Sequence, residues 1–130
     1  MSSLMQIGEL AQRAGVSHRT IHYYERLGLV KPAEREGAGY RYYDGTALKR
    51  LEKIATLKRL GLSLDEIAGV IDLYFEDATG VRGKEKVLDI LQAQLAKADA
   101  QLEELAAFRR DLARNIARME HLIAEAKQAE

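Results

Sequence analysis

The chain contains no cysteine and no tryptophan, and its one proline is Pro32. Without cysteine there is no disulfide, no thiolate metal site, no cysteine nucleophile and no thiol-based sensing. His18, His22 and His121 are too scattered to make a metal site. No apolar run reaches the length of about eighteen residues that a membrane helix needs, and no charged-then-apolar leader opens the chain. Neither a membrane span nor export is expected, and the default location is the cytoplasm. No nucleophile–base pairing, phosphate-cradling glycine loop or metal set appears, so neither an enzyme nor a bound cofactor is expected. Net charge is lacking too: twenty Lys and Arg balance twenty Asp and Glu.

What is present is unevenly placed. Residues 1–60 carry a net charge of +5 and residues 61–130 a net of −5. A basic head with an acidic tail fits a nucleic-acid-binding module joined to an assembly element. At 130 residues the chain holds about one domain's worth of sequence.

The pattern is mainly α. Ile7, Leu10, Ala11 and Ala14 fall at helical spacing, and Gly15 ends the run. Ser17 caps a second helix from about His18 to Leu27, with Gly28 as its stop. Two short helices so closely linked form a helix-turn-helix, whose second helix enters the major groove. Pro32 then disfavours helix, and Gly37-Ala38-Gly39 supplies a reversal. The flanking residues 29–35 and 40–43 are expected to pair as a ribbon, a wing bearing Lys31, Arg35 and Arg41. Asp44 caps a third helix that ends at Leu60-Gly61. Ser63-Leu64-Asp65-Glu66 is a capping box opening a fourth helix that carries Ile67, Val70, Ile71 and Tyr74. Residues 76–83 read as a loop. The expected organisation is a DNA-binding head at 1–75, a hinge at 76–83 and a dimerisation helix at 84–127.

From Lys84 onward Leu88, Leu91, Leu95, Ala98, Leu102, Leu105, Arg109, Leu112, Ile116, Met119, Ile123 and Ala126 recur at steps of three and four. This is a heptad seam, broken only by Arg109. Such a helix would be about 66 Å long. A compact chain of this size spans only about 36 Å, from its radius of gyration of about 14 Å. The seam therefore needs a partner, and the simplest is a second copy. A parallel, in-register pair would set Arg109 against its own copy inside the seam, so an antiparallel coiled coil is expected.

Thr20-Ile21-His22-Tyr23-Tyr24-Glu25, Gly28-Leu29, Pro32, Arg35 and Gly39-Tyr40-Arg41-Tyr42-Tyr43 together resemble the signature of the MerR family of bacterial transcription regulators. Leu57-Lys58-Arg59-Leu60-Gly61-Leu62-Ser63-Leu64-Asp65-Glu66-Ile67 is similar to that family's second helical pair. The resemblance implies a winged helix-turn-helix head and a homodimer joined through an antiparallel coiled coil. It also implies binding to a near-palindrome in double-stranded promoter DNA, which is bent and untwisted so that RNA polymerase engages both promoter elements. By position it implies DNA contacts from Ser17, His18, Arg19, Thr20 and Tyr23 on the second helix. In the wing it implies a phosphate contact from Arg41, with Tyr40 or Tyr42 beside it, and a backbone contact or a solvated role for Arg35. Tyr24 and Glu25 are expected to be structural. His22 departs from the family, which usually carries arginine there. If it faces phosphate, DNA affinity should rise as pH falls.

Metal-sensing relatives carry cysteines near the long helix, which this chain lacks, and a separate drug-binding domain after the seam is not expected. An effector site would lie between head and coiled coil. Arg82, Lys84 and Lys86 at a helix start suit an anion, and Tyr74 and Phe75 could stack on a ring. A weaker likeness to members linked to acyl-CoA catabolism suggests a CoA-like ligand; a solvated loop with no ligand is the other reading. A different class of function also fits the pattern: a coiled-coil dimer whose head binds a protein.

Overall fold

The computed structural model describes residues 4–36 and 40–129, with the backbone alone at 34–36 and 40. The expected reversal at Gly37-Ala38-Gly39 lies outside the described residues. The chain divides into two units, residues 1–87 and 88–130.

In the first unit, β1 (Met5–Gln6) leads into α1 (Ile7–Ala14) and α2 (His18–Arg26). Then come β2 (Glu34–Glu36), β3 (Tyr40–Tyr43), α3 (Gly45–Arg59) and α4 (Leu64–Val70). A 3₁₀ turn at Ile71–Phe75 follows, and α5 opens at Val81. The strands form an antiparallel sheet in the order β1-β3-β2, with Arg35 opposite Arg41 and Met5 opposite Tyr43. The ribbon is thus shorter on its first arm than expected, and β1 adds a third strand that two residues are too few to signal by alternation.

The caps fall where the side chains allow them. Ser17 Oγ accepts the Thr20 amide at 3.0 Å, and Asp44 Oδ1 accepts those of Thr46 and Ala47 at 3.0 and 3.3 Å. Ser63 and Glu66 close a reciprocal capping box. Past α2 the chain turns at Gly28, whose φ of 77° is the left-handed region that favours glycine. The amides of Gly28 and Leu29 return to the carbonyls of Glu25 and Tyr24 at 3.0 and 2.9 Å. This tight exit sends the chain straight back toward the sheet.

The core of the unit joins Leu10 of α1, Ile21 of α2, Leu29, Tyr43 of β3, Ile54 and Leu57 of α3, and Ile67 and Ile71, all effectively inaccessible. α1 packs on both α2 and α3. The expected fourth helix is split, because the chain tightens into the 3₁₀ turn after Val70. Arg50 ties that turn to the head, donating to the Leu29 carbonyl at 2.6 Å and to Asp72 at 2.9 Å.

α5 opens at Val81, one turn before Lys84, which shortens the expected loop. Asp77 Oδ1 accepts the amides of Thr79 and Gly80 at 2.8 and 2.9 Å, and Thr79 Oγ1 accepts that of Val81 at 3.2 Å. With its amides so placed, the segment is ready to wind as helix. The Thr79 hydroxyl also donates to Asp77 Oδ1 at 2.6 Å, and this bond, followed by those from the Gly80 and Thr79 amides, holds the Asp77 carboxyl below its ordinary value.

The second unit is the rest of α5, which runs to Gln128. Leu88, Leu95, Leu102, Leu105, Leu112, Ile116, Met119 and Ile123 are all exposed, and Leu91 is half-buried. The apolar seam is uncovered in the single chain. Among the described residues, no helix is long and apolar enough to cross a membrane.

Candidate nucleic-acid interface

Helix α2 has two faces set by its period. Ile21 and Tyr24 turn into the core, which leaves His18, Arg19, His22, Tyr23 and Arg26 exposed. Thr20 is half-buried, and its hydroxyl accepts a hydrogen bond from Ser17 Oγ at 3.0 Å. Ser17 and Thr20 are therefore engaged first with each other, at the helix start. The Arg26 guanidinium lies 5.6 Å from the centre of the Tyr23 ring. Arg26, not among the residues expected to meet DNA, follows Tyr23 by three residues and His22 by four and so shares their exposed face.

Strand β3 brings Arg41 to this helix. Arg41 Nη1 donates to Glu25 Oε2 at 2.8 Å and to His22 Nδ1 at 3.1 Å. A guanidinium only donates, so the ring nitrogen accepts and the neutral ring carries its proton on Nε2. Tyr43 donates its hydroxyl hydrogen to Glu25 Oε1. Burial, then the hydrogen bond to Glu25, then that residue's charge, push the Tyr43 phenol from 10.0 up to about 12. Arg41 opposes these effects.

Side chains alternate along a strand, so Arg41 and Tyr43 share one side of β3 and Tyr42 lies on the other. The tyrosine tied into the Arg41 cluster is thus Tyr43, and Tyr42 is half-buried away from it. The side chains of Arg35 and Tyr40 lie outside the described residues. Glu25, expected to be structural, is the junction of the cluster, an arrangement that links residues sixteen and eighteen positions apart. Lys58 on α3 donates to the Tyr24 hydroxyl at 3.4 Å.

Four of the five residues considered for an effector, Tyr74, Phe75, Arg82 and Lys84, are engaged within the chain. Arg82 pairs with Glu76 at 2.7 Å, and Lys84 Nζ donates to the Thr79 carbonyl at 2.9 Å. Lys86 is exposed. The Tyr74 ring lies 4.4 Å from Lys53 Nζ, and Phe75 lies beneath the Arg50 guanidinium at 5.4 Å. Burial raises the Tyr74 phenol above its ordinary value. The amide of Lys84, the expected helix start, donates to the Gly80 carbonyl at 3.0 Å in the first turn of α5. Among the described residues no cluster of three potential metal ligands occurs.

The family model described as MerR HTH family regulatory protein matches residues 5–73, and the one described as MerR, DNA binding matches residues 48–115. The chain belongs to the MerR family, and it is a transcription regulator with a DNA-binding domain. It is 39% identical over 119 residues to the HTH-type transcriptional regulator HmrR of Rhizobium leguminosarum bv. viciae, covering 92% of this chain and 84% of that protein. Four further curated relatives are longer, and the chain spans 37% to 40% of their length. Among solved structures, it resembles the transcription regulator PbrR691 from Ralstonia metallidurans CH34 in complex with lead(II). The TM-score is 0.65 at 33% identity, over 83% of this chain and 81% of that one. The EcmrR–DNA complex matches with a TM-score of 0.55 at 27% identity, over 82% of this chain and 38% of that one.

Proposed function

We propose that two copies join along α5 as an antiparallel coiled coil and bind a near-palindrome in promoter DNA, which they bend and untwist for RNA polymerase. In this reading residues 1–75 are the DNA-binding head, 76–83 the hinge and 84–127 the coiled coil. The protein works in the cytoplasm, where its promoter lies. The observation that carries the reading is the shared surface of α2 and β3. Arg19, His22, Tyr23 and Arg26 project from the helix, and Arg41 joins them from the wing. Helix side chains read base edges, while wing cations fix the duplex by its phosphates. Deforming a site of 20–30 base pairs costs roughly 1–6 kcal/mol, which the phosphate contacts of two heads offset. The uncovered seam supplies the link between heads: a contiguous apolar stripe of this length marks an interaction surface.

Titrating promoter fragments at increasing salt tests the reading. Affinity should fall steeply, with a log-log slope of about −0.9 per phosphate neutralised. Binding insensitive to salt points instead to a head that recognises protein. Orientation has its own test in this cysteine-free chain. Arg109→Cys should not form a self-disulfide readily, whereas cysteines at opposite ends of the seam should cross-link.

The same reading leaves room for an anionic effector, such as an acyl-CoA, at Tyr74, Phe75, Arg82, Lys84 and Lys86. It would compete with Glu76 and Thr79 for the cations. Calorimetric titration with acyl-CoA that gives no heat and no change in DNA affinity removes it.

A further inference from the structure

We infer that Glu25 is a positioning residue of the DNA interface: its carboxylate holds the Arg41 guanidinium in the pose from which the wing meets phosphate. The inference rests on the DNA-binding reading and assigns to one acidic residue a role opposite to the one its charge suggests. A carboxylate on a DNA-facing helix repels phosphate, so charge alone makes Glu25 a liability for binding.

The geometry shows what is gained in return. Glu25 and Arg41 form a pair at 2.8 Å whose two members are unequally covered. The Glu25 side chain is 11% exposed and that of Arg41 is 31% exposed. The carboxylate lies on the inner side of the pair and the cation on the outer side. Glu25 is fixed in turn from below, because fully buried Tyr43 donates to its other oxygen. Among the described residues the arginine gives only Nη1, to Glu25 and His22. Its remaining three N–H groups sit on the other two nitrogens, so the fork keeps donors for a phosphate oxygen. A free arginine surrenders considerable rotamer entropy when it binds; one already braced by two partners loses less.

Glu25 also sits on α2 itself, three residues after His22 and two after Tyr23. The brace therefore sets the wing cation at a fixed distance from the side chains that read bases. Arg41 and Tyr43 can both reach it because they lie two apart on one strand, on the same side.

The test is DNA affinity as a function of salt for wild type, Glu25→Gln and Glu25→Asp, each also in an Arg41→Ala background. Glu25→Gln removes a negative charge, yet the inference expects binding about tenfold weaker, the worth of one charge-assisted hydrogen bond. Its log-log salt slope should become shallower by up to about 0.9, because one phosphate contact is no longer made reliably. Glu25→Asp keeps the charge and shortens the reach, and it should shift affinity and slope in the same direction. In the Arg41→Ala background neither substitution should weaken binding further, and Glu25→Gln should leave it unchanged or strengthen it, since the loss runs through Arg41 and only the repulsion of the carboxylate remains. A general loss of folding would lower the active fraction without altering the slope. Should Glu25→Gln fail to fold, Glu25→Asp decides. Binding by Glu25→Gln at or above the wild-type level, or Glu25→Asp indistinguishable from wild type, overturns the inference while leaving the DNA reading intact. Wild-type protein that shows no salt-dependent DNA binding overturns both.

Discussion

Replacing Gly83 with alanine should destabilise this protein, although the same change in an ordinary helix interior would stabilise it. Gly83 is buried within α5, where alanine is normally favoured over glycine by about 0.8–1.0 kcal/mol. Here the ring of Tyr74 lies over the glycine. A Cβ at position 83 would come within 2.5 Å of Cδ2, 2.7 Å of Cγ and 2.8 Å of Cε2. Carbon atoms prefer about 3.5–4.0 Å, so the overlap is about 1 Å, and it includes the ring's root at Cγ as well as one side of the ring. The ring has little room to retreat. Lys53 Nζ sits 4.4 Å from its centroid, and a Cβ at Gly80 would meet its Cδ1 at 3.1 Å. Forcing a methyl into such a place costs about 1–3 kcal/mol. Subtracting the propensity gain leaves a net loss of about 1 kcal/mol, or a melting temperature lower by about 4–8 °C for a head of this size. Urea and thermal unfolding of wild type, Gly83→Ala, Tyr74→Ala and the double variant measure it. With the ring removed, Gly83→Ala should revert to a gain of about 0.8–1.0 kcal/mol over Tyr74→Ala alone. A Gly83→Ala protein more stable than wild type with Tyr74 in place would refute the reasoning.

Other outcomes follow from the same contacts. Ser17→Ala removes the side chain that caps α2 and should lower stability by about 1 kcal/mol in denaturant unfolding. The Tyr43 phenol is raised from 10.0 to about 12 in the folded head, so its contribution is present below pH 10 and is lost as pH rises toward 12. Stability should therefore fall more steeply over that window in wild type than in Tyr43→Phe; identical profiles would contradict the assignment. Arg41→Ala should weaken binding to all duplexes alike and make the salt slope shallower by about one unit. Arg19→Ala should instead relax preference at one base position, by about 1–3 kcal/mol if its contact is bidentate.

The sequence made some of this architecture legible and concealed the rest, for physical reasons. The α5 seam was readable because its period repeats along nearly the whole helix. The caps at Ser17, Asp44 and Ser63 were readable because each acts on amides within the next few residues. The paired Asp77 and Thr79 before Gly80 are equally local, and they carry the turn signal that explains the early start of α5. Gly83, within the segment 76–83 expected to be a loop, is a notch in α5 for Tyr74, a fact visible only once the ring is placed. Tertiary contacts left no local trace. Glu25 meets Arg41 and Tyr43 across a helix and a strand, and Arg50 reaches the Leu29 carbonyl twenty-one residues away. The alternation that puts Tyr43 beside Arg41, and Tyr42 opposite, depends on a register fixed by pairing with β1 and β2.

The central claim is that two copies bound along α5 present two such heads to one duplex. Sedimentation of the protein with DNA fragments carrying one or two half-sites tests it most directly. The account predicts a dimer before DNA is added, a complex of two protomers per two-half-site duplex, and far weaker binding to a single half-site. Protomers that sediment singly at micromolar concentration, or that bind one half-site as tightly as two, would contradict it.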